Sequence, residues 1–306
     1  MLSFSAIAES EKRCLYVSSY NTGYEWNDGI ERGIKSVIDG KCQLTQFYMD
    51  TKRYKLAEEI KRIAIVARDL IVQSKPDVVI ACDDNAAKYL IVPYFKDTDT
   101  PFVFCGINWT IEPYGFPYSN VTGIVEISPI KPLIKEIISI NKLAKKGVYI
   151  GPDVISQHKE FELNKKQYKK SGIELSAIFV SNIREWESAY IEAQKSDFLI
   201  IGNNGGIVGW DSERAAAFAL AHASRLSVTN YEWMVPYAML AMTKVSEEQG
   251  EWAAKAALAI LGGDSPERIP IVVNRRKNIY SNSALLEKAN IKLSEPLLHK
   301  SIKKGM

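Results

Sequence analysis

The 306-residue sequence has no run of about 18 continuous apolar residues, so no segment is built to cross a bilayer as a helix. It holds three histidines, His158, His222 and His299, scattered and without an H-E-x-x-H pair or carboxylates at metal spacing. That removes the recognisable zinc hydrolases. A G-x-S-x-G elbow is missing, and with it the usual serine hydrolase template. No G-K-[ST] occurs either, so the phosphate loop of a P-loop nucleotide enzyme is excluded. Charge of one sign is not in excess: 39 bases face 36 acids, a formal +3, spread along the chain. Only "HKSIKKGM" is locally basic, which reads as a solvated terminus and not as a nucleic-acid footprint. The four cysteines, Cys14, Cys42, Cys82 and Cys105, form no C-x-x-C. Each lies at the edge of a strand-like run. Cys14 and Cys42 are placed near the same ends of neighbouring strands, and Cys82 and Cys105 near the opposite ends of another pair. An exported chain permits disulfides, but bridging needs side chains that point at each other, and all four thiols are expected to be free.

What is present is a regular alternation. Strand-like runs at "CLYVSS", "QLTQFYM", "DVVIAC" and "PFVFCG" are separated by helical stretches near 27–38, 55–74 and 84–95. A second series, "GVYIG", "ELSAIFV", "DFLIIG", "LSVTN" and "AMLAMT", has helical stretches near 154–170, 184–195, 211–224 and 231–237. Short apolar strands separated by helices predict parallel sheets covered on both faces. A chain longer than one core supports then gives an α/β protein of two Rossmann-like, doubly wound lobes. "SEEQGEWAAKAALAILGGD" is an amphipathic helix ended by glycines, "SPERIPIVV" is extended, and "NSALLEKANI" closes as a helix. Returning that helix to the first lobe gives three crossings, near Thr122–Val125, Lys244–Ser246 and Arg268–Ile271. Lobe 1 is then 10–123 plus 246–267, and lobe 2 is 124–245 plus 268–296. Residues 297–306 are left as a basic tail. Residues 1–9, with the A-x-A pair Ala6 and Ala8, resemble the last part of an export signal or an unstructured start.

The strand ends carry the chemistry. After the first strand, "SSYNTGYEW" offers Tyr20, Asn21, Tyr24 and Trp26, aromatic faces that stack on flat ligands or hold cations at roughly 0.5–2 kcal/mol; Trp26 equally suits the core under the first helix. After the third, "CDDN" offers Asp83, Asp84 and Asn85, where one aspartate is expected to cap the next helix and leave the other to the ligand. Gly106, Asn108 and Trp109 follow the fourth strand. In the second lobe the corresponding ends supply Asn182, Asn203 and Asn204, then Tyr231 and Glu232. "IGNNGGIVG" lacks the G-x-G start of a dinucleotide fingerprint, so no cofactor is expected. Arg184 either clamps a carboxylate or stands on the surface of the following helix.

The order of "GYEWNDGIERGI", "DVVIACDDNAAKYL", "TPFVFCGIN" and "VTGIVE", with "EEQGEWAAKAALAILGGDSPERIPI" and "NSALLEKANIKL" at the end, resembles the ABC-transporter substrate-binding proteins of the type I periplasmic-binding fold. The branch includes binders of aromatic amino acids and extracytoplasmic sensor domains. The likeness spans about Cys14 to Glu295. It implies two lobes joined by a three-crossover hinge that close on a ligand in an interlobe cleft. It also implies a non-enzymatic, extracytoplasmic protein, secreted or membrane-tethered, that hands a small molecule to an ABC permease. "YNTGYEW" and "CDDNAAKYL" are more aromatic and acidic than the amino-acid binders' small residues at these places. An amino acid or amine-containing metabolite fits these ends best, and a sugar is the alternative. A monomer without nucleic-acid partners is expected. A cytosolic two-lobe α/β enzyme or nucleotide-binding regulator remains the competing class.

Overall fold

The computed structural model describes residues 12–54 and 56–304. The expected export remnant at 1–9 lies outside them. The chain opens with β1 (Arg13–Ser18), α1 (Glu25–Ile38), β2 (Gln43–Tyr48), α2 (Ala57–Ser74) and β3 (Val78–Cys82). Then α3 (Asp84–Ala86) runs through a π-helical stretch, Ala87–Ile91, into α4 (Val92–Tyr94), followed by β4 (Phe102–Asn108) and β5 (Val121–Glu126). The next series is α5 (Ile130–Ile140), β6 (Lys146–Pro152), α6 (Ile155–Lys170), β7 (Glu174–Val180), α7 (Ile183–Ala193), β8 (Phe198–Ile201), α8 (Ser212–His222), β9 (Leu226–Thr229) and β10 (Leu240–Thr243). Last come α9 (Ser246–Leu261), β11 (Val272–Val273), β12 (Asn278–Ser281), α10 (Ser283–Lys288), α11 (Glu295–Lys300) and β13 (Ile302–Lys303).

The elements sort into two compact units. One takes the described residues up to Ile127 with Val245–Arg276, the other Ser128–Lys244 with Lys277 onward, so the chain crosses between units three times. The first unit's sheet has the order β11-β5-β4-β3-β1-β2, and the second's β13-β12-β10-β9-β8-β6-β7. All pairings are parallel except β10 with β12. Both sheets thus contain the doubly wound order 2-1-3-4-5, in which the order reverses beside the first strand and a crevice opens at the strands' carboxyl ends.

Period-two alternation explains why the first sheet is apolar on both faces. Leu15, Val17, Val79, Ala81, Phe102 and Phe104 pack on one face with Ile60, Ala64, Ala67 and Ile71 of α2. Cys14, Tyr16, Val78, Ile80 and Val103 pack on the other with Ile30, Ile34 and Ile38 of α1 and Ala253, Ala254 and Ala257 of α9. Helices α1 and α9 touch through backbone: a Cβ on Gly250 would stand 1.9 Å from the Ile30 carbonyl oxygen. The second unit buries Tyr149, Ile150, Leu199, Ile200 and Val228 in its strands, with Trp186 and Tyr190 of α7 over them.

The fold departs from expectation at the cysteines. The cysteines are not free: Cys14 bonds to Cys42, with Cα atoms 6.0 Å apart, and Cys82 to Cys105, at 4.5 Å. Cys82 and Cys105 are register partners in parallel strands, and partners in a parallel pair project to the same face, side by side. Cys42 precedes β2 and packs against the same cluster as Cys14. Near the C-terminus β13 pairs with β12 through Tyr280 and Ser281. The units change over at 127–128, 244–245 and 276–277. Strand β5 is completed inside the first sheet and β11 pairs with it, Val272 to Ile124 and Val273 to Val125. The Asn274 side chain then brackets Ile127, accepting from its N–H at 2.6 Å and donating to its carbonyl at 3.1 Å.

Candidate functional site

In the first unit, β1 and β3 flank the reversal point, and their carboxyl ends carry "SSYN" and "CDDN". Ser19 ties the two together: its hydroxyl donates to the Cys82 carbonyl at 2.7 Å and accepts from the Ala86 N–H at 2.9 Å. That bond occupies the helix start, so neither aspartate has to cap it. Asp84 instead accepts from the Asn108 amide at 2.7 Å and from the Tyr114 hydroxyl at 2.6 Å. Asn85 donates to the Thr51 hydroxyl at 2.8 Å, and Thr51 donates to the Ser19 carbonyl at 2.8 Å. The expected helix-capping aspartate is therefore replaced by a serine, and Asp84, Asn85 and Asn108 hold the loops to one another.

Asp83 is the unusual residue. It is 2% exposed, and its backbone has φ 73° and ψ 165°, a region essentially reserved for glycine. Such a conformation costs of the order of 1–3 kcal/mol and persists only where the surroundings enforce it. They do so here: its N–H donates to the Cys105 carbonyl at 2.7 Å. Gly106, at φ 69°, leaves the room its carboxylate needs, since a Cβ there would lie 2.8 Å from Asp83 Oδ1. Gly106 is fixed in turn by the buried Gln249 of α9, whose Oε1 accepts from its N–H at 2.9 Å.

Around Asp83 stand Tyr20, Tyr24, Lys52 and Glu126. The two rings meet edge to face, centroids 5.3 Å apart. The Lys52 ammonium lies over both, 4.3 Å from the Tyr20 centroid and 4.6 Å from that of Tyr24. Glu126 ends β5 at 4% exposure. The Tyr20 hydroxyl is pushed well above its ordinary range, first by burial and then by the negative charges of Asp83 and Asp84. Burial lowers the Lys52 ammonium, against the pull of Asp83 and Glu126. Asn21 donates within its own loop, to the Thr22 carbonyl at 2.7 Å. Trp26 packs against the core face shared with α1 and α9, and Trp109 takes φ 66° with its N–H on the Glu126 carbonyl at 2.9 Å.

The second unit presents a different set. Asn182 caps α7, accepting from the Glu185 N–H at 3.1 Å. Asn203 accepts from the Gly205 N–H at 2.8 Å, and Asn204 closes a turn through its carbonyl to Ile207. Tyr231 donates to Glu160, and its ring lies 4.9 Å from that of Trp233. Gln157 joins them: it donates to Glu160 at 3.2 Å and accepts from the Tyr149 hydroxyl at 2.6 Å. Burial raises the Glu160 carboxyl, opposed by Tyr231 and the Lys244 charge. Burial and the same carboxylate push the Tyr231 hydroxyl up, against bonds from the Gln157 and Asn203 side chains. Glu232 is turned to Lys304, at 2.7 Å. Arg184 stands exposed on α7, in a groove with Phe179, Val180 and Glu192.

The structure thus gathers Tyr20, Tyr24, Asp83, Asp84, Asn85, Gly106 and Asn108 at one end of the first sheet. Asn203 and Tyr231 meet in the second unit, while Asn182 and Glu232 are engaged elsewhere. Sequence reasoning missed Lys52, Tyr114 and Glu126, and also Gln157 and Glu160. Glu126 closes the run "VTGIVE", and Lys52 follows β2 at the same sheet edge as the residues after β1. Gln157 and Glu160 are spaced three apart, on one face of α6. Among the described residues no helix is long and apolar enough to cross a membrane, and no His/Cys/Asp/Glu group suits a metal ion.

A search of curated proteins gives no match. Among solved structures, the ligand-free, open substrate-binding protein with adhesive properties from Clostridium difficile superposes with a TM-score of 0.76 at 13% identity, over 96% of this chain and 99% of that one. A conserved domain protein from Vibrio cholerae gives 0.64 at 18% identity, and an ABC domain in complex with L-Trp from Streptococcus pneumonia gives 0.63 at 15%, each over the same shares. These likenesses show the periplasmic-binding fold, two α/β lobes with mostly parallel sheets. The family model described as ABC transporter substrate binding protein matches residues 21–304. With nearly the whole chain matched and the strand ends built as described, the protein belongs to the ABC transporter substrate-binding family.

Proposed function

We propose that this chain is an extracytoplasmic solute-binding protein without catalytic activity. It takes up a small polar ligand, an amino acid or amine-containing metabolite, at the carboxyl strand ends of its units and delivers it to an ABC permease. The observation that carries the ligand class is Asp83, a buried carboxylate in a glycine-type backbone conformation at the reversal point of the first sheet, beside Tyr20 and Glu126. Strain kept at such a place supports a positioned binding group. Among the described residues Asp83, Asp84 and Glu126 gather there with Lys52, which favours a ligand bearing positive charge over a neutral sugar. The L-Trp complex of the Streptococcus pneumonia neighbour is consistent with an amino acid. Two disulfides support export, since they persist in oxidising compartments. A monomer with no nucleic-acid partner fits the even charge.

Native mass spectrometry of the gently purified protein tests this. A bound species of amine-containing composition, weakened by Asp83→Asn, is the expected result. A hexose mass, or retention unchanged in the variant, would overturn the ligand class.

A further inference from the structure

The cation seat on the first unit already has an occupant from the chain itself. Lys52 lies on an exposed stretch between β2 and α2 where its side chain has water available. It nevertheless folds back so that its ammonium faces two tyrosine rings at 4.3 and 4.6 Å, the geometry of a caged cation. Among the described residues, the charged groups that bear on it are acids of the strand ends, Asp83 after β3 and Glu126 on β5. Asp84 and the same two acids act on the ring hydroxyl of Tyr20 beneath it. The position is therefore shaped for an ammonium group and is filled by one on a flexible four-carbon tether.

We propose that Lys52 is a built-in competitor: its ammonium holds the Tyr20–Tyr24 seat, and a ligand takes that seat only by displacing it with a cationic group of its own. The proposal rests on the ligand-binding role given above and names the group recognised at this end. Displacement is made easy by the lysine's situation. Burial outweighs the pull of both acids on its ammonium, so Lys52 regains hydration by swinging out. A ligand's cationic group has no tether to satisfy when it takes the place over the two rings. The seat then discriminates by charge: a neutral or anionic head group leaves Lys52 in place, and only a cation exchanges with it. A lysine laid over tyrosines merely to shield them would show no such exchange.

Calorimetry with tetramethylammonium chloride against sodium chloride of equal strength tests the exchange on the full chain, dialysed free of small molecules. Lys52→Gln is expected to bind tetramethylammonium about five- to tenfold more tightly than the wild type, the reach of one caged cation. Lys52→Arg, which keeps a cation on the tether, should stay near the wild type, and Tyr20→Leu with Lys52→Gln should lose the gain. Unchanged or weaker binding in Lys52→Gln, or no tetramethylammonium binding in either protein, overturns the proposal. The native mass spectrum separates the two claims. An amine ligand found there with no Lys52 effect sinks the competitor and leaves the transport role standing. A hexose found there with the Lys52 gain intact sinks the amine ligand class and leaves the competitor standing.

Discussion

The two units share a strand order but end their strands in opposite chemistry. The first finishes in charge: Asp83 and Glu126 buried, Asp84 beside them, and Lys52 caged over two tyrosines. It is also the braced unit, with both disulfides and a helix pair in backbone contact. The second finishes in hydroxyls and amides, where Tyr149, Gln157 and Tyr231 surround one carboxyl, Glu160, that burial pushes toward its neutral form. Fixed charges at a binding end are useful only if they cannot relax toward each other, and that needs a stiff frame. A network of neutral donors and acceptors can adjust by rotating hydroxyls and asks less of its scaffold. The bracing and the charge therefore go together, on the same unit.

The largest test of this asymmetry is mechanical. Gly250→Val drives a side chain into the backbone of α1, because a Cβ at that position would stand 1.9 Å from the Ile30 carbonyl oxygen. It should cost about 3 kcal/mol or more. Hydrogen exchange should then show amides of α1 and β1 losing protection while those of β6 and β8 keep theirs; equal loss in both units would break the comparison. Next is the covalent brace. Replacing Cys82 and Cys105 by alanine opens a loop with a sequence separation of 23 and should cost about 3 kcal/mol in chemical denaturation. Thiol titration of denatured, unreduced wild type should find no reactive cysteine.

A smaller and more discriminating effect is expected at Asp83. Asp83→Gly suits the φ of 73° and relieves about 1–3 kcal/mol of backbone strain, so thermal melts should show no loss of stability, while ligand capture is abolished. Asp83→Asn keeps the strain and should weaken capture by about 1–3 kcal/mol. Loss of stability in Asp83→Gly would show that the carboxylate holds the fold.

The smallest effect is titration in the second unit. The folded state raises the Glu160 carboxyl, so it binds that proton more tightly than the unfolded chain does. This contribution is fully present below the unfolded value near 4.5 and fades as pH rises through the folded one. Glu160→Gln should flatten that part of the stability profile, measured by denaturation from about pH 4 to 8, and an identical profile would remove Glu160 as its source.

Much of this was legible in the sequence, for a definite reason. Strand and helix periodicities survive translation into three dimensions because burial on a sheet face acts residue by residue, so β3, β4 and β8 fall where "DVVIAC", "PFVFCG" and "DFLIIG" put them. The aromatic and acidic strand ends followed from topology. What escaped depends on register and on partners distant in sequence. The Cys82–Cys105 bond needs the pairing of β3 with β4. Ser19 at the start of α3 needs a contact across 67 positions of sequence. Lys52 and Glu160 lie in a loop and within a helix, where composition gives no sign that a charge turns inward. The extended "IPIVV" was legible, but its pairing with β5 inside the first sheet depends on register across the chain.

Helix α9 has a further consequence for how the protein is made. The face of α1 bearing Ile30, Ile34 and Ile38 is covered by Ala253, Ala254 and Ala257, residues the ribosome adds only after the strands β6 to β10 have been synthesised. A nascent chain ending at Lys244 therefore carries α1 with one apolar face still open. The core between α1 and the first sheet is therefore completed only once α9 has been made, after strands that belong to the other unit.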